Sequence, residues 1–303
     1  MKHDYISGHL SLWTKIIDRT ENAIRSGALY SIPTESFFLQ ENGIWFFVRI
    51  LANLSRKAEA KKKELQINKG SGKTINPFLP YEQAMFVTDI SDTHLCLLNK
   101  YNVVERHILI VTREFEDQEM LMNLKDFEAM WLCMAEFDSL SFYNGGCAAG
   151  ASQPHKHLQL VPLPLASQGH RIPIEPVFDS VIYHALVGTT PLLPFVHAFI
   201  RLEPDCINSP IETAKRTLDY YHTMLDFVGL NVTGDGRQSG PYNLLVTREW
   251  MFLVPRSAEF FHSISVNALG FAGALLVKNE KEMELLKSHG AMNLLKSVAV
   301  SRA

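Results

Sequence analysis

Apolar side chains recur with two different periods along the chain, and the longer period marks the predicted helices. Residues 5–25 place their apolar side chains at helical spacing, which predicts an amphipathic helix that ends near Gly27. The same spacing predicts helices over residues 124–137, from residue 210 to about 228, and from residue 279 to just before Gly290. Each of these helices has one apolar face, so each needs a second layer to cover it.

Runs of β-branched and aromatic residues predict strands between these helices. We expect strands at residues 45–51, 85–89, 94–98, 107–111 and 154–161. The connections among the middle three are short, which favours antiparallel pairing. The predicted fold class is therefore α+β, an antiparallel sheet with helices packed against it.

The strand predicted at residues 154–161 carries an unusual row of polar side chains. Side chains alternate between the two faces of an extended strand, so His155, His157 and Gln159 project to one face. A glycine-rich turn, residues 145–153, directly precedes them. Glycine allows the backbone conformations that direct successive N–H groups at an anion. A phosphate group and a nucleophilic imidazole could therefore meet here.

Two other interpretations of this histidine pair stay open. Alternate histidines also occur on solvent-exposed strand faces, and they can supply two ligands of a metal site. Glutamine is a poor zinc ligand, and no cysteine stands at ligand spacing near His155 and His157. The adjacent glycine turn favours phosphate chemistry over both alternatives.

Composition indicates an ordinary globular enzyme. The chain has 303 residues, 47% of them hydrophobic, which is enough to bury a large core. Its formal net charge of -3 argues against nonspecific nucleic-acid binding. The four cysteines form no C-x-x-C pair, which favours reduced thiols over a disulfide framework. No apolar run has the length of a signal peptide or membrane span, so we expect a cytoplasmic protein without membrane or nucleic-acid partners.

A lysine- and glycine-rich stretch, residues 58–76, predicts a mobile loop. Its GSGKT segment is similar to the end of a phosphate-binding P-loop, but the first glycine of that motif would fall at Ile67. Pro77 also stops the helix that the motif requires. We therefore expect no P-loop here.

Four parts of the sequence resemble a known superfamily. Residues 150–159, GASQPHKHLQ, with Asn144 upstream, resemble the active-site strand of histidine-triad proteins in the galactose-1-phosphate uridylyltransferase-like branch, where glutamine replaces the third histidine. Residues 97–111 resemble the LLNKFPVVPxHxLLV hairpin of the same branch. Residues 242–257 and 267–278 are similar to the ATP adenylyltransferases, also called diadenosine tetraphosphate phosphorylases, rather than to the uridylyltransferases.

The resemblance implies a histidine-triad-like antiparallel sheet with flanking helices, built from two related halves fused in one chain. We expect one half at residues 1–165, carrying the H-x-H-x-Q motif, and the second at residues 166–303, completing the sheet and the substrate site in one compact unit. The sequence VTRE occurs at residues 111–114 and again at 246–249, which hints at the same duplication. The resemblance implies one active site per chain.

The resemblance also implies roles for individual residues. His157 is the expected nucleophile, with the carbonyl of His155 accepting a hydrogen bond that orients it and Gln159 donating to a phosphoryl or leaving oxygen. The structural role is the favoured interpretation for His107 and His197. The implied substrate-contacting residues are Lys57, Leu98, Asn99, Asn144, Gly150, Ala151, Ser152, Gln153, Asn267 and Lys278.

The implied activity is phosphorolysis of diadenosine tetraphosphate to ATP and ADP through an adenylyl-histidine intermediate, in a reversible reaction. Mg²⁺ is expected with the polyphosphate substrate, and no metal site of the protein's own and no organic cofactor are expected. The expected partners are nucleotides and phosphate, bound to a monomer or dimer. Three alternatives stay open: a hexose-1-phosphate uridylyltransferase, a dinucleoside polyphosphate hydrolase, and a noncatalytic nucleotide-binding module.

Overall fold

The computed structural model describes residues 10–52, 76–203, 207–231 and 233–302. Its strands are β1 (Thr34–Glu41), β2 (Ile44–Leu51), β3 (Phe86–Asp89), β4 (His94–Leu98), β5 (Ile108–Thr112), β6 (Ser139–Gly145), β7 (His157–Pro162), β8 (Ile182–His184), β9 (Val187–Thr189), β10 (Ala198–Arg201), β11 (Tyr242–Val246), β12 (Trp250–Pro255), β13 (Phe260–Phe261), β14 (Ile264–Ser265) and β15 (Ala274–Val277). Its α-helices are α1 (Leu12–Arg25), α2 (Leu124–Glu136), α3 (Pro210–Phe227), α4 (Ala268–Phe271), α5 (Glu280–His289) and α6 (Ala291–Val298). No helix in these ranges is long and apolar enough to cross a membrane.

A ten-stranded sheet in the order β3-β4-β5-β7-β6-β11-β12-β10-β9-β8 forms the middle of three layers. Helices α1, α2 and α3 cover one face, where Ile108, Leu158 and Leu160 join their core. The small sheet β1-β2-β15 and helices α4, α5 and α6 cover the other face, where Phe142 and Leu245 are buried. Both faces of the large sheet are therefore covered, which explains why its strands are largely apolar on both sides.

The large sheet repeats one topology on either side of its centre. The first half runs β3-β4-β5-β7-β6 and the second runs β8-β9-β10-β12-β11. In each half, a helix follows the third strand and a hairpin completes the set. The halves meet where β6 pairs with β11, with Asn144 opposite Asn243. The predicted α+β class with an antiparallel sheet is confirmed, while the boundary at residue 165 stays a prediction.

Strand β12 is the topological counterpart of β7, and its side chains differ in kind. His157 lies opposite Val111 of β5, as Trp250 lies opposite Arg201 of β10. Gln159 and Phe252 correspond in the same way. Trp250 and Phe252 pack against Phe178, with ring centroids 5.1 and 5.3 Å away. The second half thus has an aromatic core where the first has its polar row.

Most predicted elements are confirmed to within one residue at each end, and two are shorter than predicted. Helix α1 starts at Leu12 because Ser11 caps it, with Ser11 Oγ accepting a hydrogen bond from Thr14 N at 3.2 Å; residues 1–9 lie outside the described ranges. Strand β7 starts at His157. His155 makes only an isolated bridge with Asp117.

The repeated VTRE sequence is not evidence of the duplication. Its first copy ends β5 and its second copy ends β11, and these two strands are not counterparts in the repeated topology. The duplication is visible in the strand order instead. The loop predicted at residues 58–76 falls almost wholly outside the described ranges.

Candidate active site

His157 opens β7 with its ring held in one tautomer. Its Nδ1–H donates to the carbonyl oxygen of His155 at 2.8 Å. Because a carbonyl only accepts hydrogen bonds, the proton of the neutral ring lies on Nδ1 and the lone pair lies on Nε2. The residue is only 4% exposed, and burial lowers the pKa of His157 to about 4. The imidazole is therefore neutral at pH 7, with one nitrogen ready to attack.

His155 is fixed by partners from two distant segments. Its Nε2–H donates to the carbonyl oxygen of Thr112 at 2.8 Å, and its Nδ1 accepts from Asn76 Nδ2 at 2.9 Å. Burial also lowers the pKa of His155. The ring of Phe78 lies against both histidines, 5.6 Å from His155 and 5.3 Å from His157 between centroids. Both nitrogens of His155 are thus occupied, which leaves it to hold the carbonyl that orients His157.

Gln118 fills a gap between β6 and β7 that no sequence pattern indicates. The ladder between these strands ends at the pair Phe142 and Gln159. Beyond it, Gln118 Oε1 accepts from His157 N at 2.9 Å, while Gln118 Nε2 donates to the carbonyls of Asn144 at 3.0 Å and His157 at 3.2 Å. The side-chain amide of Gln118 therefore replaces the missing backbone hydrogen bonds between β6 and β7 and sets the separation of the two strands.

Lys156 anchors the same segment from the opposite face. Its side chain is fully buried, with Nζ 2.5 Å from Asp126 Oδ2 and 3.1 Å from Glu116 Oε2. Asp126 lies in the first turn of α2 and also accepts a hydrogen bond from His94 Nε2 at 2.9 Å. The backbone between the two site histidines is thus tied to a helix N-terminus by a buried ion pair.

The glycine turn uses several of its N–H groups for hydrogen bonds within itself. Gly146 and Gly150 have φ of +91° and +89°, a conformation that favours glycine. The N–H groups of residues 149–151 donate to carbonyls within the turn itself. Three N–H groups of the turn are therefore already bonded within it, and the prediction that the turn binds an anion stays a prediction. Among described residues, the N–H groups of Ser152 and Gln153 make no such bond and are left for a ligand.

Two other predicted residues join this end of the site. Asn144 Oδ1 accepts from Asn243 Nδ2 at 2.9 Å and from Ala268 N at 3.0 Å, which leaves its amide N–H groups for a ligand. Asn267 lies against the turn, since a Cβ added to Gly150 would stand 2.9 Å from Asn267 Cβ. The second half of the chain thus completes this end of the site.

The other end of the site contains Asn99 and His107. Asn99 Nδ2 donates to His107 Nδ1 at 3.1 Å, and Gln159 lies beside the same ring. Burial, with a smaller effect of His157, lowers the pKa of His107 to about 4, and its Nε2 has no hydrogen-bond partner in the described ranges. The side chain of Leu98 points to the helix-covered face, so only its backbone can reach a ligand on this side.

Of the two predicted lysines, the described ranges include Lys278. Lys278 follows β15, which runs parallel to β2, so both strands end at the same edge of the small sheet. Its backbone N–H donates to Glu282 Oε2 at 2.7 Å. Lys57 lies outside the described ranges. In the part of the chain that the structure describes, no cluster of three His, Cys, Asp or Glu side chains could hold a metal ion.

Comparison with known proteins decides the family. Residues 3–180 match the family model described as the Ap4A phosphorylase N-terminal domain, where Ap4A is diadenosine tetraphosphate. Residues 191–301 match the ATP adenylyltransferase C-terminal domain. The first match alone spans more than half of the chain. The chain belongs to the Ap4A phosphorylase family.

Relatives of this family member are known in yeast. Diadenosine 5',5'''-P1,P4-tetraphosphate phosphorylase 2 of Saccharomyces cerevisiae (strain ATCC 204508 / S288c) is 27% identical to it over 309 residues, covering 91% of this chain and 90% of the relative. The crystal structure of yeast Ap4A phosphorylase Apa2 has 22% identity and a TM-score of 0.73, covering 96% of this chain and 98% of that one. A complex of Apa2 with Ap4A matches with 21% identity and the same TM-score and coverage. These structures show that the family member shares the Apa2 fold.

Proposed function

We propose that this protein phosphorolyses diadenosine tetraphosphate to ATP and ADP and catalyses the reverse reaction. Family membership supports the substrate class, and the printed name of the yeast relative supports the reaction. The observation that carries the proposal is the neutral His157 ring, whose Nδ1–H is held by the His155 carbonyl and whose Nε2 is left with its lone pair.

The reaction proceeds by two displacements at one phosphorus atom. His157 Nε2 attacks the α-phosphorus of one adenosine, and the bond from that phosphorus to the bridging oxygen breaks. ATP leaves as an anion, so its departure needs no proton. An oxygen of inorganic phosphate then attacks the adenylyl-histidine, the N–P bond breaks, and ADP is released.

The surrounding groups stabilise the charges that develop during these two displacements. The His155 carbonyl stabilises the positive charge that develops on the His157 ring as Nε2 forms its bond. Gln159 donates to a phosphoryl or leaving oxygen. The N–H groups of Ser152 and Gln153, with the amide of Asn144, bind phosphate oxygens, and the remaining predicted contacts are Gly150, Ala151, Leu98, Asn99, Asn267, Lys57 and Lys278.

Mg²⁺ arrives with the substrate in this proposal. The groups around His157 are imidazoles and amides, whereas Mg²⁺ prefers carboxylate and phosphate oxygens. The residues present therefore do not fit a resident Mg²⁺, and the phosphate oxygens of the substrate carry it. We also propose a cytoplasmic location, where free thiols such as those of Cys96 and Cys133 stay reduced.

Product analysis tests the function directly. Diadenosine tetraphosphate is incubated with the protein, with and without inorganic phosphate, and the products are separated by chromatography. We expect ATP and ADP only when phosphate is present. ATP and AMP in its absence would establish a hydrolase instead.

The stereochemical course tests the covalent intermediate. Two in-line displacements at the α-phosphorus give net retention, whereas direct attack by phosphate gives inversion. We expect retention with a chiral α-phosphorothioate substrate. Inversion would return His157 to a binding or general-base role.

A further inference from the structure

Arg256 is a buried cation behind the phosphate end of the site. Arg256 is 2% exposed, and among described residues no Asp or Glu forms an ion pair with it. Its guanidinium instead donates to neutral oxygens in several segments: Nε to Val298 O at 3.0 Å, Nη1 to Asn243 Oδ1 at 2.5 Å and Ala149 O at 3.3 Å, and Nη2 to Ala258 O at 2.7 Å and Val266 O at 2.9 Å. The planar fork of arginine suits such divergent acceptors.

Two of these acceptors, Ala149 O and Val266 O, belong to segments that form the site. Ala149 lies in the glycine turn, and Val266 immediately precedes Asn267. The two segments touch, because a Cβ added to Gly150 would stand 3.0 Å from Val266 O. One side chain thus holds the turn from the first half of the chain against a segment from the second.

A relay connects the guanidinium to Asn144. Arg256 Nη1 fixes Asn243 Oδ1, which directs Asn243 Nδ2 to Asn144 Oδ1 at 2.9 Å and to Ala149 O at 2.9 Å. Because Asn144 Oδ1 is held as an acceptor, its amide N–H groups face away from this relay. Arg256 therefore also orients the side chain expected to donate to a phosphate.

The charge of Arg256 is incompletely balanced by the protein. Burial lowers the pKa of Arg256 to about 10 although nearby Glu259 opposes this, so the group remains a cation at pH 7. A buried charge without a carboxylate partner is costly, and its field is weakly screened by the interior. A polyphosphate bound in front of the turn would supply the missing negative charge.

We propose that Arg256 is a positioning residue of the phosphate site: it locks the glycine turn against the Asn267 segment, and its buried charge favours a bound polyphosphate. This inference rests on the proposed function. It assigns two separable contributions, one from the geometry of the guanidinium fork and one from its charge.

Two substitutions separate these contributions. Arg256→Lys keeps the charge but cannot reach the divergent acceptors. We therefore expect its ATP affinity to stay within about threefold of wild type and its kcat to fall by about tenfold or more. Arg256→Gln removes the charge, so we expect ATP to bind about tenfold more weakly, with a shallower dependence of Kd on salt concentration. Kd is measured by calorimetry and kcat by product analysis, at a temperature where each variant is folded.

Arg248 offers the matched control. Its guanidinium also donates to backbone carbonyls, Met134 O at 2.8 Å and Ala135 O at 3.2 Å, but it stabilises the C-terminal end of α2. Arg248→Lys and Arg248→Gln should lower thermal stability while leaving the Kd for ATP and its salt dependence unchanged. The Arg248 variants therefore measure what loss of a structural arginine does alone.

The outcomes separate the two proposals. If wild type does not phosphorolyse diadenosine tetraphosphate, the proposed function fails whatever Arg256 does. If wild type is active and Arg256→Gln matches Arg248→Gln in ATP affinity and kcat, only the positioning role is overturned. Should Arg256→Gln not fold, Asn243→Ser breaks the relay with Arg256 in place; a lower kcat supports the role, and a wild-type kcat overturns it.

Discussion

His157, the proposed nucleophile, differs from the structural histidine His197 by one hydrogen bond. His197 repeats the local geometry of His157, since its Nδ1–H donates to the carbonyl two residues earlier, Phe195 O, at 2.9 Å, and burial lowers the pKa of His197 to about 4. However, His197 Nε2 accepts from Thr190 N at 3.0 Å. Its lone pair is therefore occupied, which agrees with the structural role predicted for His197.

Substitution of these two histidines should have opposite consequences. We expect His157→Ala to lower kcat on the order of a thousandfold or more, because the bond-forming atom is lost. The fold and the Kd for ATP should change little. His197→Ala should cost about 2 kcal/mol of stability, because it leaves a buried N–H and carbonyl unpaired, yet keep kcat. A His157→Ala protein with a tenth of the wild-type rate would remove His157 from the nucleophile role.

The lowered pKa of His157 predicts that activity persists to unusually low pH. Only the neutral ring attacks, so kcat/KM for diadenosine tetraphosphate should stay level as pH falls through 6.5 and decline with an apparent pKa near 4. This parameter reports the first displacement, which does not involve inorganic phosphate. Short assays after a pH jump measure it before acid unfolding. An apparent pKa near 6.5 would contradict the buried, neutral nucleophile.

The join between β6 and β7 depends on a loop side chain rather than on the strands. Gln118→Ala removes the amide that bonds to Asn144 O, His157 O and His157 N. We expect a loss of about 2 to 4 kcal/mol in the free energy of unfolding and a drop in kcat/KM of about tenfold or more, because His157 is no longer held in line. Chemical denaturation and steady-state kinetics measure the two effects.

The exposed Gln40 on β1 provides the control for this substitution. Gln40→Ala should change stability by no more than about 0.5 kcal/mol and leave activity intact. A Gln118→Ala protein with the kinetics of Gln40→Ala would show that the strands keep their separation without the amide.

Buried neutral histidines make the stability of the whole fold depend on pH. Burial lowers the pKa values of His107, His157 and His197 to about 4. Between pH 6.5 and 4 the unfolded chain binds protons at these positions and the native protein does not, so stability falls as pH falls. From pH 7 to pH 5 we expect each histidine to cost on the order of 1 to 2 kcal/mol.

Carboxylates act in a lower pH range. Burial alone would raise the pKa of Asp126, but its hydrogen bond with His94 and the charge of Lys156 lower it, so its contribution is lost only below about pH 4. Urea unfolding at pH 7 and pH 5 therefore isolates the histidines. His197→Ala should reduce the loss of stability by about 1 to 2 kcal/mol, the contribution of one such histidine. An unchanged free energy of unfolding between the two pH values would contradict their buried, neutral state.

Local patterns in the sequence were enough to predict the fold class, four helices, five strands and the H-x-H-x-Q row. They succeeded because periodicity, capping residues and side-chain alternation act between residues close in the chain. The resemblance to histidine-triad proteins supplied the family and the substrate class. The halves were also expected, although the VTRE repeat offered in their support was coincidental.

Only the tertiary structure showed what holds each histidine and whether its Nε2 is free to react. Whether Nε2 is free in His155, His157 or His197 depends on Thr112 and Thr190, which no local pattern connects to them. The supporting side chains Gln118, Lys156, Asn243 and Arg256 were not predicted for the same reason. Hydrogen-bond partners far apart in the chain, and the burial that shifts a pKa, exist only once the layers have assembled.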